Sequence, residues 1–382
     1  MFIKNAILYG EDFEPRRGCL AVEGGRIRAM GDALTPLPGE ETLDAQGVRL
    51  FPGFIDIHIH GGCGAEISAG KAALDGISRR LAACGVTSFC PTTMTAPQAQ
   101  LEQTARLVAA HMGREAGAYI HGLHLEGPHI SMEKRGAQDA RFIRSPSLAE
   151  AQALAALAPL KLLSMAPETP GALEFSLAFS LACSSLCRIS VAHTNASYEQ
   201  TRAALAAGFS HGTHLFCAMP PLHHRAPGAV GALLEDPTAT AELICDGVHL
   251  HPATVRLAFR LLGEDRAVAV SDAVSAAGLP EGSHTISGQV LLRQNGAVYL
   301  ADGTTLAGSS TDLYAEFLNL LAWGIPERAA LKSCTINPAR VIGVEKETGS
   351  LAPGKAADLL LVQEDFTLQA VMIKGKFCCS PT

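Results

Sequence analysis

One feature constrains this chain more than any other, and it is an alternation. Eight short apolar, β-branched runs occur at Phe54–His60, Val86–Thr92, Ala118–Leu125, Lys161–Ala166, Arg188–His193, Ser210–Leu215, Ala241–Cys245 and Ala267–Ser271. Most of the gaps between them carry a segment rich in Ala and Leu. Such runs read as buried strands and the intervening segments as helices. The clearest helix is SYEQTRAALAAG, where Ser197 can cap the start, Gln200 completes a capping box and Gly208 stops the helix. Repeated strand–helix units of this number predict an α/β fold, a (β/α)8 TIM-like barrel of about 250 residues, rather than an open doubly wound sheet. No GxGxxG or GxxxxGK[ST] loop follows any strand, which weakens a dinucleotide or nucleotide-triphosphate reading.

The two ends of the chain differ from the middle. FIKNAILYG and CLAVEGGRIRAMG near the start, and GSLAPGKAADLLLV and LQAVMIKGKFCC near the end, read as short strands, with Gly24-Gly25 as a hairpin turn. They predict a small β-sandwich domain built from residues 1–50 plus 345–382, around a barrel at 51–344. At 382 residues, 48% hydrophobic and 18% charged, the chain can bury large cores and is not disordered. Its formal charge of −7, without a Lys/Arg cluster, argues against a nucleic-acid partner. No apolar run approaches the ~20 residues of a membrane span, and the N-terminus lacks the apolar centre of a signal peptide. The eleven cysteines form no CxxC pair and read as reduced thiols. The expectation is a soluble cytoplasmic protein.

Of 14 histidines, 13 fall between His58 and His251. A barrel builds its active site at the C-terminal ends of its strands, so the residues that end each strand are the ones to test. In FIDIHIHGG, His58 and His60 are two apart on an extended segment and face the same side, a half-site for Zn²⁺ or Fe²⁺ or else a hydrogen-bonded pair at the mouth. Glu126 ends an apolar strand in HGLHLEGPHIS and needs a cation, metal or arginine, or several donors. His193 in VAHTNA and His214 in HGTHLF end later strands, so four histidines and one glutamate converge on one mouth. Asp272, in AVAVSDAVSAAG, faces the same mouth. It can act as general base and then general acid beside a metal-acidified water, or serve as a ligand or helix cap. His124 and His129 read as packing or supporting residues, and His211, His223 and His224 as supporting or solvated ones.

These residues, in this order, resemble the metal-dependent amidohydrolase superfamily. Within it, HLEGPHISMEKRGAQ, AHTNA, THLFCAMPPLHHRAPG, DGVHLHP, VSDAVSAAGLPEG and LAGSS are similar to the N-acetylglucosamine-6-phosphate deacetylases, over essentially the whole chain. The resemblance implies hydrolysis of the N-acetyl group of a hexosamine 6-phosphate to acetate and the free amine. It implies that Glu126, His193 and His214 hold the main divalent metal, zinc or iron. His58 and His60 would hold a second ion bridged by Glu126, giving one or two per subunit. Asp272 would activate water and then protonate the leaving amine. His249 would contact the substrate and help polarise the acetyl carbonyl, and Arg225 would bind the phosphate with paired donors. The backbones of Ala137, Cys217, Ala218, Leu306, Ala307 and Gly308 would line the sugar pocket. The family is commonly dimeric, with a phosphate site that can draw on the neighbouring subunit, so a homodimer is expected.

Four positions depart from the family's pattern. Cys217 stands where Asn is usual, Ala226 where Glu often follows the arginine, Gln138 where many members have His, and His129 where an aromatic is usual. All lie toward the substrate, so they bear on the sugar more than on the reaction. A sister deacetylase for N-acetylgalactosamine 6-phosphate or a related acetylated amino sugar is the nearest alternative. A cyclic-amide or dipeptide hydrolase is less favoured, because relatives of that kind often carry a bridging lysine at the end of the fourth strand, and KLLSMAPE has none there. A metal-free scaffold is disfavoured by the complete set of candidate ligands.

Overall fold

The structure is a computed structural model that describes residues 1–182, 187–286 and 288–379, so the last three residues of the expected terminal unit lie outside it. Eight parallel strands, each followed by a helix, run through the middle of the chain. They are β1 (Phe54–Ile59), β2 (Val86–Thr93), β3 (Leu123–Glu126), β4 (Leu160–Met165), β5 (Arg188–Val191), β6 (Phe209–Gly212), β7 (Thr240–Leu243) and β8 (Ala267–Ala269). The helices are α1 (Lys71–Ala83), α2 (Gln98–His111), α3 (Leu148–Leu157), α4 (Ala172–Ala182), α5 (Tyr198–Ala206), α6 (Gly228–Glu235), α7 (Pro252–Arg266) and α8 (Leu313–Ala322). Neighbours pair in sequence order from β1 to β8. The ring closes where Asp272 N–H donates to His58 O at 2.9 Å and His60 N–H to Ala273 O at 2.8 Å. Every residue of β1, β2 and β4 is buried, as expected of strands covered on both faces. The α5 start carries the expected capping box between Ser197 and Gln200.

Three strands stop before the residues that end them in the sequence. His193, His214 and Asp272 lie just past β5, β6 and β8, with φ of 42°, 32° and 46°. The left-handed region is costly for residues with a Cβ, and such strain is kept where the surroundings hold it. The third run is also interrupted. Tyr119–Ile120 forms a short strand, and β3 begins only after Gly122 at φ 148°, where a Cβ would come within 2.4 Å of Pro159 O.

The chain ends form one mixed eight-stranded sheet. Its order is Lys376–Cys379, Leu368–Ile373, Leu359–Val362, Arg49–Pro52, Phe2–Tyr9, Pro15–Glu23 and Arg26–Gly31, with Thr42–Asp44 also paired to the strand Phe2–Tyr9. The sheet curls until its outer turns meet, since Ala357 N–H donates to Gly25 O and Gly375 N–H to Ala357 O. Ile3, Leu20, Leu50, Leu359 and Met372 lie in its own apolar core. Gly24-Gly25 makes the expected hairpin, with both φ values positive as that turn requires. The sheet is joined to the barrel by the edge-to-face contact of Phe51 with Phe317 of α8.

An antiparallel four-stranded sheet, Gly282–Ile286, Gln289–Gln294, Ala297–Leu300 and Leu306–Ser309, is inserted between β8 and α8. Its last strand clamps the end of β8, because Ser309 N–H donates to Asp272 O at 2.8 Å. Gly308 permits that approach, as a Cβ there would lie 2.8 Å from Asp272 O. No helix among the described residues is long and apolar enough to cross a membrane.

Candidate metal centre and active site

The strand ends bring together two groups of potential ligands that share Glu126. On one side, His58 Nε2 lies 3.1 Å from His60 Nε2, and Asp272 Oδ1 is 3.4 and 3.2 Å from these two nitrogens. Glu126 completes that side, with Oε1 3.5 Å from His58 Nε2 and Oε2 3.5 Å from His60 Nε2. On the other side, Glu126 Oε1 is 3.1 Å from His193 Nε2 and 3.0 Å from His214 Nε2, and the two nitrogens are 3.1 Å apart. Ligands at about 2.0–2.1 Å around a tetrahedral Zn²⁺ are spaced by about 3.3 Å, close to these separations.

The outer nitrogens explain why the inner ones point inward. His58 Nδ1 lies 2.8 Å from Glu242 Oε2, His60 Nδ1 3.1 Å from Thr92 O, and His193 Nδ1 2.8 Å from Lys134 O. Carboxylates and carbonyls accept, so each Nδ1 carries the hydrogen and each Nε2 presents a lone pair. Three inward lone pairs facing two buried carboxylates leave the centre short of positive charge, and a divalent cation fits that donor set. The titration behaviour follows the same deficit. Burial opposes charging His58, yet Glu242, Asp272 and Glu126 push its pKa up to about 10. Burial likewise opposes charging Glu126, yet His193, His214 and His58 hold its carboxyl well below the usual range.

Glu242 was not among the expected residues. It is fully buried and also lies 3.2 Å from His211 Nε2 while accepting from the His214 backbone N–H at 3.0 Å, so it braces both sides. Gln138, expected to bear on the sugar, instead holds a candidate metal ligand. Its amide donates to Glu126 Oε2 at 2.5 Å and its carbonyl accepts from Thr95 N–H at 2.6 Å, which fixes the shared carboxylate. His124 and His129 are packing residues: burial lowers their pKa values to about 3 and about 4, and each is held by a backbone carbonyl, of Ile57 and Arg144.

A cavity of about 450 Å³ opens onto this cluster, lined by His60, Glu126, His193, His214 and Asp272. The expected pocket residues Ala137, Cys217, Ala218, His249, Leu306, Ala307 and Gly308 all line it too. His249 is anchored by Asp246, whose Oδ2 lies 2.7 Å from Nδ1 and whose Oδ1 accepts the His249 and Val248 backbone N–H groups. Burial pushes the Cys217 thiol up to about 12, so it is a neutral packing group. Arg225 is the exception. It sits on an exposed segment outside this lining, with Nη1 2.7 Å from His224 Nε2. Cys19, Cys63, Cys84, Cys90, Cys217, Cys245 and Cys334 are free thiols.

Comparison with known proteins agrees with this geometry. The chain is 35% identical over 349 residues to the N-acetylgalactosamine-6-phosphate deacetylase of Escherichia coli O157:H7, covering 90% of this chain and 91% of that one. It is 34% identical over 384 residues to the N-acetylglucosamine-6-phosphate deacetylase of Vibrio furnissii, covering 98% and 94%. The crystal structure of N-acetyl-D-glucosamine-6-phosphate deacetylase from Mycobacterium smegmatis superposes with a TM-score of 0.90 at 31% identity, covering 99% of each chain. The profile of the amidohydrolase family matches residues 49–378. A parallel barrel whose strand ends gather four histidines, a shared glutamate and an aspartate is thus matched by sequence along most of its length, and the chain belongs to the amidohydrolase family.

Proposed function

We propose that this protein is a metal-dependent deacetylase that hydrolyses N-acetylglucosamine 6-phosphate to glucosamine 6-phosphate and acetate. The observation that carries the reading is Glu126 shared between two histidine pairs at the floor of a sugar-sized cavity. Glu126, His193 and His214 would hold one divalent ion, zinc or iron, and His58 and His60, with Asp272 beside them, a second. Bound there, the metal supplies Lewis acidity, polarising the amide carbonyl and acidifying water. Asp272 takes the proton of the attacking water and returns it to the departing nitrogen, keeping charge from building on the amine. His249, held by Asp246, would bind the acetyl oxygen. Ala137, Cys217, Ala218, Leu306, Ala307 and Gly308 shape the wall against which the sugar rests.

Arg225 is assigned to the phosphate, and its exposure supports a homodimer in which it reaches the neighbouring subunit's substrate. The terminal sheet's own apolar core supports a unit of 1–50 plus 345–382 beside one of 51–344, with Tyr9, Leu360 and Val371 of the first packed into the core of the second. We take the protein to be cytoplasmic, in keeping with the free thiols of Cys84, Cys90, Cys217, Cys245 and Cys334. A second reading has support of its own: identity to the N-acetylgalactosamine-6-phosphate enzyme, 35%, equals or exceeds that to the N-acetylglucosamine-6-phosphate relatives. Acetate release from the two epimers, with and without the 6-phosphate, decides. The leading reading requires the gluco phosphate to be turned over best, and a preference for the galacto epimer transfers the assignment.

A further inference from the structure

We propose that a second cavity beside His60 is an acyl-binding chamber, and that the enzyme removes amide-linked acyl groups of three and four carbons as well as acetyl. This rests on the deacetylase reading above. The chamber, of about 290 Å³, adjoins the main cavity along a shared wall of His60, Met94, Ala137, Val274 and Ala307. It is a distinct space, since Glu126, His193, His214 and His249 line the main cavity and not this one. Its buried lining joins apolar Ala96, Leu101, Val274 and Leu291 to the methyl-bearing Thr92, Thr93, Thr95 and Thr104. The charged residues, Glu66, Asp139 and Arg141, are half-buried or exposed and mark its outer end. Asp139 and Arg141 pair with each other at 2.6 Å, so the rim carries no strong net charge.

The geometry of an amide assigns the contents of the two spaces. The carbonyl carbon bears nitrogen on one side and the acyl substituent on the other. With the carbonyl at the histidine cluster and the sugar in the larger cavity against His249, Cys217 and Ala218, the acyl substituent leaves toward His60. A site closed around a methyl group would reject a longer chain by overpacking. Here the wall ahead of it includes Met94, an unbranched side chain that is 38% exposed and able to change rotamer. The chemistry is unchanged. Water adds its hydroxyl to the carbonyl carbon, the C–N bond breaks, the proton passes through Asp272 to the amine, and butyrate leaves in place of acetate.

The test measures carboxylate release from the N-acetyl, N-propionyl and N-butyryl forms of glucosamine 6-phosphate. Its arms are the wild-type enzyme and two variants that fill the chamber away from the catalytic residues, Ala96→Leu and Gln100→Trp. Gln100 is exposed, so its variant tests the proposal even if Ala96→Leu fails to fold. Wild-type kcat/KM for the butyryl substrate should stay within about thirtyfold of that for acetyl, and either folded variant should lower it a further tenfold or so while acetyl stays within about twofold. The proposal is overturned if acetyl is released normally but butyryl falls further than that, or if folded variants leave the butyryl rate unchanged. Failure of acetyl release itself would instead overturn the deacetylase reading on which the proposal stands.

Discussion

The two halves of the candidate metal centre are built differently. His58 and His60 belong to or directly follow strand β1, and the outer nitrogen of His58 rests on a buried carboxylate, Glu242. His193 and His214 lie past their strands on left-handed backbone, and neither ring is braced by a carboxylate on its outer nitrogen. His193 rests on a carbonyl, Lys134 O, while the buried Nδ1 of His214 has no hydrogen-bond partner among the described residues. A carboxylate behind an imidazole raises its basicity and fixes its tautomer more strongly than a carbonyl does. The first half would therefore owe its metal affinity chiefly to the carboxylate behind His58, and the second to Glu126 and the backbone that aims its rings, where Glu242 meets only the His214 N–H.

The largest expected effect tests whether Asp272 serves chemistry or ligation. Asp272→Asn should keep bound metal and lose about 10³-fold or more in kcat, within the range assigned to general acid–base groups. Near-normal turnover would remove Asp272 from that role, and loss of metal would make it chiefly a ligand. Glu242→Gln comes next, because it strikes the asymmetry itself. Metal affinity on the His58 side should fall by about 10–100-fold while the ion on the His193 side stays, as read by titration calorimetry and elemental analysis. Equal weakening of both ions would show that the halves are not independently supported.

Arg225→Ala should raise KM for phosphorylated substrate by about tenfold or more, in line with loss of a charge-assisted pair, and leave unphosphorylated sugar unaffected. Equal loss on both sugars would exclude a phosphate contact. The smallest effect concerns a buried carboxylate with no part in the reaction. Asp358 accepts from Tyr119 OH at 2.7 Å, Thr348 Oγ1 at 3.1 Å and Lys374 N–H at 2.8 Å, where the terminal sheet meets the barrel. Burial raises its pKa. The native protein thus holds this proton where the unfolded chain, titrating near 3.9, has released it, so stability from this group is full below about pH 4 and is lost as pH rises through the raised value. Asp358→Asn should flatten that slope in denaturant unfolding across pH 4 to 7, and an unchanged slope would exclude the assignment.

Much of this was legible in the sequence, for identifiable reasons. Buried parallel strands read as apolar runs, so the barrel showed itself, and strand-end placement singled out His58, His60, Glu126, His193, His214 and Asp272. Glu242 carried the same signal as Glu126, a carboxylate inside an apolar strand, TAELIC, but it lies before the strand end and so outside the strand-end rule. Asp246 acts from a loop, where no period marks it, and Gln138 stood out only by its departure from the family's pattern, which did not reveal its contact with Glu126. The inserted sheet had a usable mark in RQNGAVYL, where Asn295 and Gly296 adopt φ of 53° and 77° as a tight hairpin requires. The left-handed backbone at His193, His214 and Asp272 had none, since it is imposed by tertiary contacts such as the one from Ser309 N–H to Asp272 O.

The central claim is that the charge deficit at Glu126 is filled by a metal required for amide hydrolysis. Acetate release from N-acetylglucosamine 6-phosphate by chelator-treated protein, before and after graded addition of Zn²⁺, tests it most directly. The account predicts negligible release without metal and recovery that rises with bound ion, abolished in Glu126→Gln. Full turnover by metal-free protein, or none after the metal is restored to the folded enzyme, would contradict it.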